Sequence, residues 1–288
     1  MTLAAGVWHQ IFSFENYGEL LALVRNSLIA GAALGLVGGL AGVFVMMRDL
    51  PFAVHGISEL SFAGASAALL LGVNIVAGSI AGSLLAAGAI GVLGARARDR
   101  NSVIGIIMPF GLGLGVLFLA LYKGRAANKF GLLTGQIVAV DTPQTAWLLG
   151  TSSLVLVALA VMWRPLAFAS ADPDVAEARG VPVRALSFAF MIVLGLAVAL
   201  SVQIVGALLV LSLVVTPAAA AARLTASPVL LPLLSVAFAV FSIEGGILLA
   251  LGSSIPISPY VTTISFTIYA VCRWAGAYRP RHFRQAAR

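Results

Sequence analysis

A histidine and a glutamate stand four residues apart in the stretch HGISELSFAG, residues 55–64. At this spacing the side chains of His55 and Glu59 share one face of a helix. An imidazole nitrogen and a carboxylate oxygen both bind zinc and harder divalent ions such as manganese. One such pair is half of a tetrahedral site, which other helices or a second copy of the chain could complete. The alternative is a structural pair in which the two side chains neutralise each other.

The chain around this pair is too apolar to be a soluble protein. Hydrophobic residues make up 61% of the 288 positions, charged residues only 9%, and the mean hydropathy is +1.07. A soluble domain has about 25% charged residues. The apolar runs are long and continuous, which favours membrane-spanning helices over a transmembrane β-barrel. We therefore expect an all-α polytopic membrane protein, a bundle of eight or nine transmembrane helices.

The apolar runs divide the chain into membrane segments and flanking regions. We expect an N-terminal interfacial segment over 1–20, a transmembrane domain over 21–275 and a basic cytoplasmic tail over 276–288. The apolar piece 131–141 is too short to span about 30 Å of hydrocarbon and suits a re-entrant turn or an interfacial helix. The nine predicted spans are 21–47, 52–73, 75–95, 103–122, 144–163, 185–202, 203–222, 229–251 and 257–274.

Basic residues between the spans predict the orientation. With the C-terminus in the cytoplasm, thirteen of the 17 Lys and Arg residues fall inside and four outside. This asymmetry is the positive-inside pattern, so the net charge of +7 reflects topology and predicts no nucleic-acid partner. The N-terminus would then lie outside, provided that two spans meet near 200–204 with almost no loop. The single cysteine, Cys272, excludes an internal disulfide and a cysteine-rich metal cluster, and no cleavable signal peptide is expected.

Three ionisable residues fall well inside predicted spans: His55, Glu59 and Glu244. A charge at the bilayer centre costs at least about 2.5–3.5 kcal/mol on insertion scales, so such residues are kept for pairing or function. Glu244 either lines the cavity of the pair or hydrogen-bonds a neighbouring backbone as a protonated acid, and the structural role is favoured. Ser58 and Glu244 remain the candidates for further pathway residues beside the metal-binding pair.

Glycines recur four residues apart in several spans. Such pairs allow helix backbones to approach closely in membranes, and they predict generic bundle packing rather than a specific function. The pairs are Gly31/Gly35, Gly38/Gly42, Gly78/Gly82 and Gly111/Gly115.

A short polar loop follows the fifth span. Asp172 suits a helix N-cap, Pro173 the first helical position and Gly180 the C-terminal end, which predicts a helix of two turns. Such a short helix is marginal alone in water, so we expect it to rest on another surface. The chain has no Walker loop, because neither Lys123 nor Lys129 follows a glycine-rich phosphate loop. If transport is ATP-driven, the ATPase is a separate chain.

Two stretches of the sequence, DPDVAEARGVPV and VQIVGALLVLSLVVTPAAAAARL, and the shorter piece GLLTGQIVAVD carry a family resemblance. Through them, residues 25–275 resemble the membrane permease subunits of bacterial ABC importers for zinc, manganese and iron, which receive metal from a cluster A-I binding protein. The matching positions are Asp172, Ala176, Gly180, Gly206, 208–215 and 217–222.

The resemblance implies a type II ABC importer-like bundle in the bacterial inner membrane, in contact with lipid. It implies a homodimeric permease with two cytoplasmic ATP-binding subunits and an extracytoplasmic metal-binding protein. The chain itself would hold no catalytic residue and no bound cofactor, and its cargo would be a divalent metal. The coupling helix would lie within 169–183 and sit in a groove of the ATPase. Its predicted coupling residues are Asp172, Asp174, Ala176, Glu177 and Gly180.

In the second span the family usually has Asp and then His at i and i+4, and both are thought to meet the metal. Aligning Ser58, Ser61 and Gly64 puts His55 at the family's Asp and Glu59 at its His. The order is exchanged while one carboxylate and one imidazole are kept. This exchange preserves the donor chemistry and favours the metal-ligand interpretation.

Three other functions compete with metal import. An importer of a metal chelate or vitamin would need a wide, largely apolar cavity rather than a histidine–carboxylate pair. A proton-coupled secondary transporter working through Glu59 or Glu244 would typically show inverted repeats, and none is evident. An intramembrane enzyme is least favoured, because the chain has no H-E-x-x-H motif or nucleophile–base set.

Overall fold

The structure is a computed structural model that describes residues 24–94, 97–124, 142–207, 210–251 and 256–278, with the single positions 18, 21, 131 and 132. The predicted interfacial segment, most of 131–141 and the end of the basic tail lie outside the described residues. Within the described ranges the regular elements are ten helices. They are α1 (Arg25–Met47), α2 (Pro51–Leu71), α3 (Ile75–Leu93), α4 (Ala97–Leu121), α5 (Thr142–Ala171), α6 (Pro173–Ala178), α7 (Val183–Val205), α8 (Val210–Leu224), α9 (Leu230–Leu251) and α10 (Ile257–Tyr278).

The helices confirm the expected all-α membrane fold. Seven of those described, α1 to α5, α7 and α9, are long and apolar enough to cross a membrane. Helix α8 is apolar but has only 15 residues, and α10 has 22. The described helices correspond one by one to the nine predicted spans, with α6 as the short loop helix.

Two predicted boundaries differ from the structure. The fifth span was expected to end at residue 163, before Arg164 and Pro165, but α5 continues to Ala171 with Pro165 inside the helix. Leu166 and Ala169 are buried, so packing maintains the helix beyond the proline. The break expected near 200–204 lies later, at Gly206, whose φ of 86° ends α7. A left-handed backbone of this kind favours glycine.

The four glycine pairs lie at helix crossings, as the sequence predicted. Gly38 and Gly42 of α1 face α8, and a Cβ atom added to Gly42 would collide with the backbone oxygen of Val214. Gly78 and Gly82 of α3 lie equally close to the backbone of α2. In a membrane the hydrophobic effect does not drive helices together, and small residues instead allow helix backbones to pack closely.

Buried serines add polar links between helices. Ser61 of α2 lies 2.8 Å, Oγ to Oγ, from Ser79 of α3, and Ser79 donates to the carbonyl of Ala199 in α7. Ser235 of α9 donates to the carbonyl of Gly39 in α1 over 2.7 Å. Hydroxyls that bond across helices are a common stabilising contact in membrane bundles.

The glycine contacts also fix the helix directions. Gly35 and Gly39 of α1 face Val240 and Val236 of α9, so these two helices are antiparallel. Further glycine contacts, and for α5 the hydrogen bond between Arg48 and Ser170, define one end of the bundle. This end holds the C-terminal ends of α1, α3, α5, α8 and α10 and the N-terminal ends of α2, α4, α7 and α9. We call this end the arginine face, after Arg48, Arg100, Arg184, Arg223 and Arg273. Among the described basic residues, Arg25 and Lys123 lie at the opposite end.

Candidate metal site and loop helix

His55 and Glu59 lie on adjacent turns of α2. Counted from Pro51 at 1.5 Å per residue, they are about 6 Å and 12 Å along the helix from its arginine-face end. The His55 Nε2 and Glu59 Oε1 atoms are 3.7 Å apart, which is an ion-pair distance and longer than a normal hydrogen bond. The His55 side chain is 27% exposed and that of Glu59 only 5%, so the pair is reached from the histidine side.

The separation of the two donor atoms suits one shared ion. If an ion lies about 2.0–2.2 Å from each of two atoms that are 3.7 Å apart, the angle at the ion is roughly 115–135°. This angle is somewhat wider than tetrahedral, and small rotations of the two side chains would close it. His55 Nδ1 and Glu59 Oε2 are buried and have no hydrogen-bond partner among the described residues. Within the described part of the chain, these two atoms are therefore not engaged by another polar group.

Neighbouring helices hold the pair through close backbone contact. A Cβ atom added to Gly111 of α4 would lie 3.0 Å from the backbone carbon of Glu59. Gly82 of α3 lies against the carbonyl oxygen of Leu60 on another side of α2. Because α3 and α4 touch α2 at backbone level, the positions of both donors are set by packing rather than by a loop.

The described part of the chain adds no third His, Cys, Asp or Glu ligand to the pair. No group of three or more His, Cys, Asp or Glu side chains able to hold a metal occurs among the described residues. Among the described residues, His55 and Glu59 are therefore the two donors of the candidate site.

The two predicted pathway residues do not join the pair as further donors. Ser58 is buried, and its hydroxyl donates 2.8 Å to the carbonyl of His55 within the same helix. Glu244 lies about 21 Å along α9 from Leu230, so it is nearer the opposite end of the bundle than Glu59 is. Its Oε1 atom is buried, has no partner among the described residues and faces Gly31 of α1. Helix α9 packs chiefly on α1, α8 and α10.

Helix α6 has the capping that the sequence predicted. Asp172 is the N-cap, and its Oδ1 accepts a 3.0 Å hydrogen bond from the backbone N–H of Val175. Gly180 has φ of 82°, and the N–H of Val181 returns to the carbonyl of Ala176. These bonds define both ends of a single short helix that packs on α5 and α7.

The exposure of α6 separates its residues into two roles. Ala176 is fully buried where α6 packs against α5 and α7 of the same chain. The other five residues of the helix are exposed, and so are Asp172 and Gly180 at its ends. Asp174, Val175 and Glu177 therefore present a surface at the arginine face.

Sequence reasoning missed a polar cluster around Arg48, directly after α1. Its guanidinium donates to the hydroxyl of Ser170 over 3.2 Å and to that of Ser187, and it lies 6.0 Å from the ring centre of Phe190. The only sequence signal was an arginine at the end of a span, which the positive-inside pattern already explained. The two serines are 122 and 139 residues away in sequence, so only the fold brings them together.

Comparison with known proteins identifies relatives over most of the chain. The "Manganese import system permease protein ScaB" of Streptococcus parasanguinis is 31% identical over 199 residues, which cover 69% of this chain and 71% of that protein. The "High-affinity zinc uptake system membrane protein ZnuB" of Haemophilus influenzae is 26% identical over 253 residues, covering 88% and 97%.

A solved structure has the same fold. "PsaBC from Streptococcus pneumoniae in complex with Fab" matches with a TM-score of 0.79 at 24% identity, over 89% of this chain and 95% of the matched chain. The model of the family described as the ABC 3 transport family matches residues 21–276, which include α1 to α9 and all but the last two residues of α10. The chain therefore belongs to the ABC 3 transport family.

Proposed function

We propose that this chain is the permease subunit of an ATP-driven importer that carries manganese or zinc into the bacterial cytoplasm. As a member of the ABC 3 transport family it is a transport subunit and not an enzyme, with ATP hydrolysis on a separate chain. Relatives are named as manganese and zinc import proteins. The observation that carries the cargo assignment is the His55–Glu59 pair, with its two donor atoms 3.7 Å apart.

The presence of only two such ligands among the described residues supports a homodimer. Two donors from one helix leave half of a tetrahedral site, and a two-fold axis beside α2 would supply the same pair from a second copy. Manganese accepts more oxygen ligands, which water can provide. The pair acts as a transient site, because conduction requires binding weak enough for release.

The arginine face is the cytoplasmic side in this proposal. Cytoplasmic ends of spans carry an excess of Lys and Arg. The described basic residues concentrate at this end, which also holds α6 and the C-terminal end of α10. The C-terminus is then cytoplasmic, and the opposite end meets the extracytoplasmic metal-binding protein.

Helix α6 is the contact for the ATP-binding subunit. Its exposed side chains stand at the arginine face, while Ala176 anchors it to α5 and α7. A groove in a partner would cover the exposed Val175, which is 45% exposed. Movement of the ATP-binding subunit on ATP binding would then shift α6 together with the adjoining ends of α5 and α7.

Metal uptake tests the proposal. Cells that lack their own importers receive this chain with its neighbouring ATPase and binding protein, and uptake of zinc, manganese and iron is measured side by side. We expect uptake of zinc or manganese that disappears with an ATPase-inactive partner and with His55→Ala. Uptake at the ATPase-inactive level for every metal would overturn the cargo assignment.

The loop contact has its own test. Val175→Arg places a charge in the surface that the ATPase groove would cover, and we expect the ATPase to be lost on co-purification. Ala226→Arg is the matched control, because Ala226 is exposed in the α8–α9 loop at the same face. Equal retention of the ATPase by both variants would exclude α6 as the contact. Ala176→Arg is unsuitable, because Ala176 is buried in its own chain.

A further inference from the structure

A cavity of about 220 Å³ opens at the arginine face. It lies where the α1–α2 connection, the C-terminal end of α3 and the N-terminal ends of α4 and α7 meet. Three arginines, Arg48, Arg100 and Arg184, are among the residues that line it, together with Ser187, whose hydroxyl accepts a hydrogen bond from Arg48. The cavity is separate from the His55–Glu59 pair, neither of which lines it.

Within the described part of the chain, none of these three arginines forms an ion pair with a carboxylate. No carboxylate is among the described residues that line the cavity. Arg48 donates to Ser170 and Ser187, which are neutral, and both hydroxyls donate onward to backbone carbonyls of their own helices. The Nε atom of Arg100 is buried and has no partner among the described residues.

The positive charge of Arg100 acts on Arg48. Burial, followed by the charge of Arg100, lowers the pKa of the Arg48 guanidinium from its ordinary value. Like charges held together in a partly buried cavity oppose folding unless an anion offsets them. The arrangement is therefore one in which a bound anion would be stabilising.

Glycines at the end of α3 shape the cavity. A Cβ atom added to Gly94 would lie 3.0 Å from the Cα of Arg100, and one added to Gly91 would lie 2.9 Å from the ring of Phe188. These contacts bring the start of α4 and the start of α7 against α3. Leu50 and Met191 form apolar wall beside the basic groups.

We propose that this cavity binds the phosphate group of an anionic molecule. Arginine matches phosphate because its planar fork donates two parallel hydrogen bonds, and several arginines with a hydroxyl provide converging donors. Two sources supply this chemistry: the headgroup of an anionic phospholipid and soluble inorganic phosphate. Basic pockets between helices at the cytoplasmic side of membrane proteins suit lipid headgroups, and the apolar wall would accommodate the adjoining glycerol and acyl chain.

Binding measurements on the full chain test the proposal and separate the two sources. The protein is purified in an uncharged maltoside detergent and phosphate-free buffer. Phosphatidylglycerol in the same detergent and inorganic phosphate are titrated separately, with the thermal unfolding temperature as readout. Arg184→Gln and Arg100→Gln remove one cavity guanidinium each. Arg164→Gln is the control, because Arg164 is an exposed arginine of α5 outside the cavity lining.

We expect one probe to raise the unfolding temperature, with an apparent Kd about fivefold weaker in each cavity variant and unchanged in the control. A response to phosphatidylglycerol alone identifies the lipid, and a response to inorganic phosphate identifies the soluble anion. Arg184 is exposed, so Arg184→Gln tests the site even if Arg100→Gln folds poorly. The proposal is overturned if neither probe distinguishes Arg184→Gln from the control. It is also overturned if the cavity variants lose only their association with the ATPase, since a partner carboxylate would then be the occupant.

Discussion

Two glutamates lie within the apolar helices, and their surroundings differ. Glu59 has a histidine one turn away, and α4 contacts the backbone beside it through Gly111. Glu244 also faces a glycine of a neighbouring helix, Gly31, but that glycine meets the end of its side chain. A metal ion in transit needs more than one donor, and of these two glutamates only Glu59 has a second donor beside it on the same helix. We therefore expect Glu59 to act with His55 on the transported ion and Glu244 to have a structural role.

The largest effect is expected from removing either donor of the pair. Glu59→Ala or His55→Ala should reduce metal uptake to the level of an ATPase-inactive control, because one ligand cannot replace two. Radiolabelled zinc and manganese uptake, with membrane levels of each variant measured by immunoblot, tests this. Wild-type uptake in both variants would make the pair a structural feature.

Exchanging the two donors sharpens the comparison. The double variant His55→Asp with Glu59→His places the carboxylate first and the imidazole second on the same helix face. We expect uptake above that of Glu59→Ala, since one carboxylate and one imidazole remain in reach of one ion. Competition between zinc and manganese in the same assay measures whether the order of donors affects metal preference. A double variant no better than Glu59→Ala would show that the order is essential.

The two glycines beside the glutamates should respond unequally to alanine. In Gly111→Ala the added Cβ would press on backbone atoms of α2, and we expect a loss of roughly 1–3 kcal/mol in stability with reduced uptake. In Gly31→Ala it meets the ends of the Ile247 and Glu244 side chains, which can move. Thermal unfolding of the two purified variants gives the comparison directly. Equal destabilisation would mean that the two glutamates are packed alike.

The smallest effect is expected at Glu244. Glu244→Gln keeps the size and the hydrogen-bonding capacity of the side chain, and uptake should remain close to wild type. Glu59→Gln, measured beside it, should lose uptake, since an amide is a poor ligand for a transition metal. Loss of uptake in Glu244→Gln at normal membrane levels would place Glu244 in the transport pathway.

Much of the fold could be predicted from the sequence because membrane spans, glycine spacing and helix caps are local signals. The nine segments, the glycine crossings and the ends of α6 all follow from residues close together in the chain. The continuation of α5 past Pro165 and the break at Gly206 could not be predicted, because packing decides them. The pairing of His55 with Glu59 required only helix geometry. The arginine cavity joins residues far apart in sequence, and no local pattern marks it.

The glycine contacts have a mechanical consequence for the path from α6 to the His55–Glu59 pair. A Cβ atom added to Gly195 of α7 would lie 3.2 Å from the carbonyl oxygen of Ser83 in α3. Helix α3 in turn contacts the backbone of α2 through Gly78 and Gly82. Where two helix backbones are in contact, few side-chain atoms lie between them that could rearrange when one helix moves. Helix α6 packs against α7. A displacement of α6 would therefore be transmitted through α7 and α3 to α2, which carries His55 and Glu59, with little loss to side-chain rearrangement.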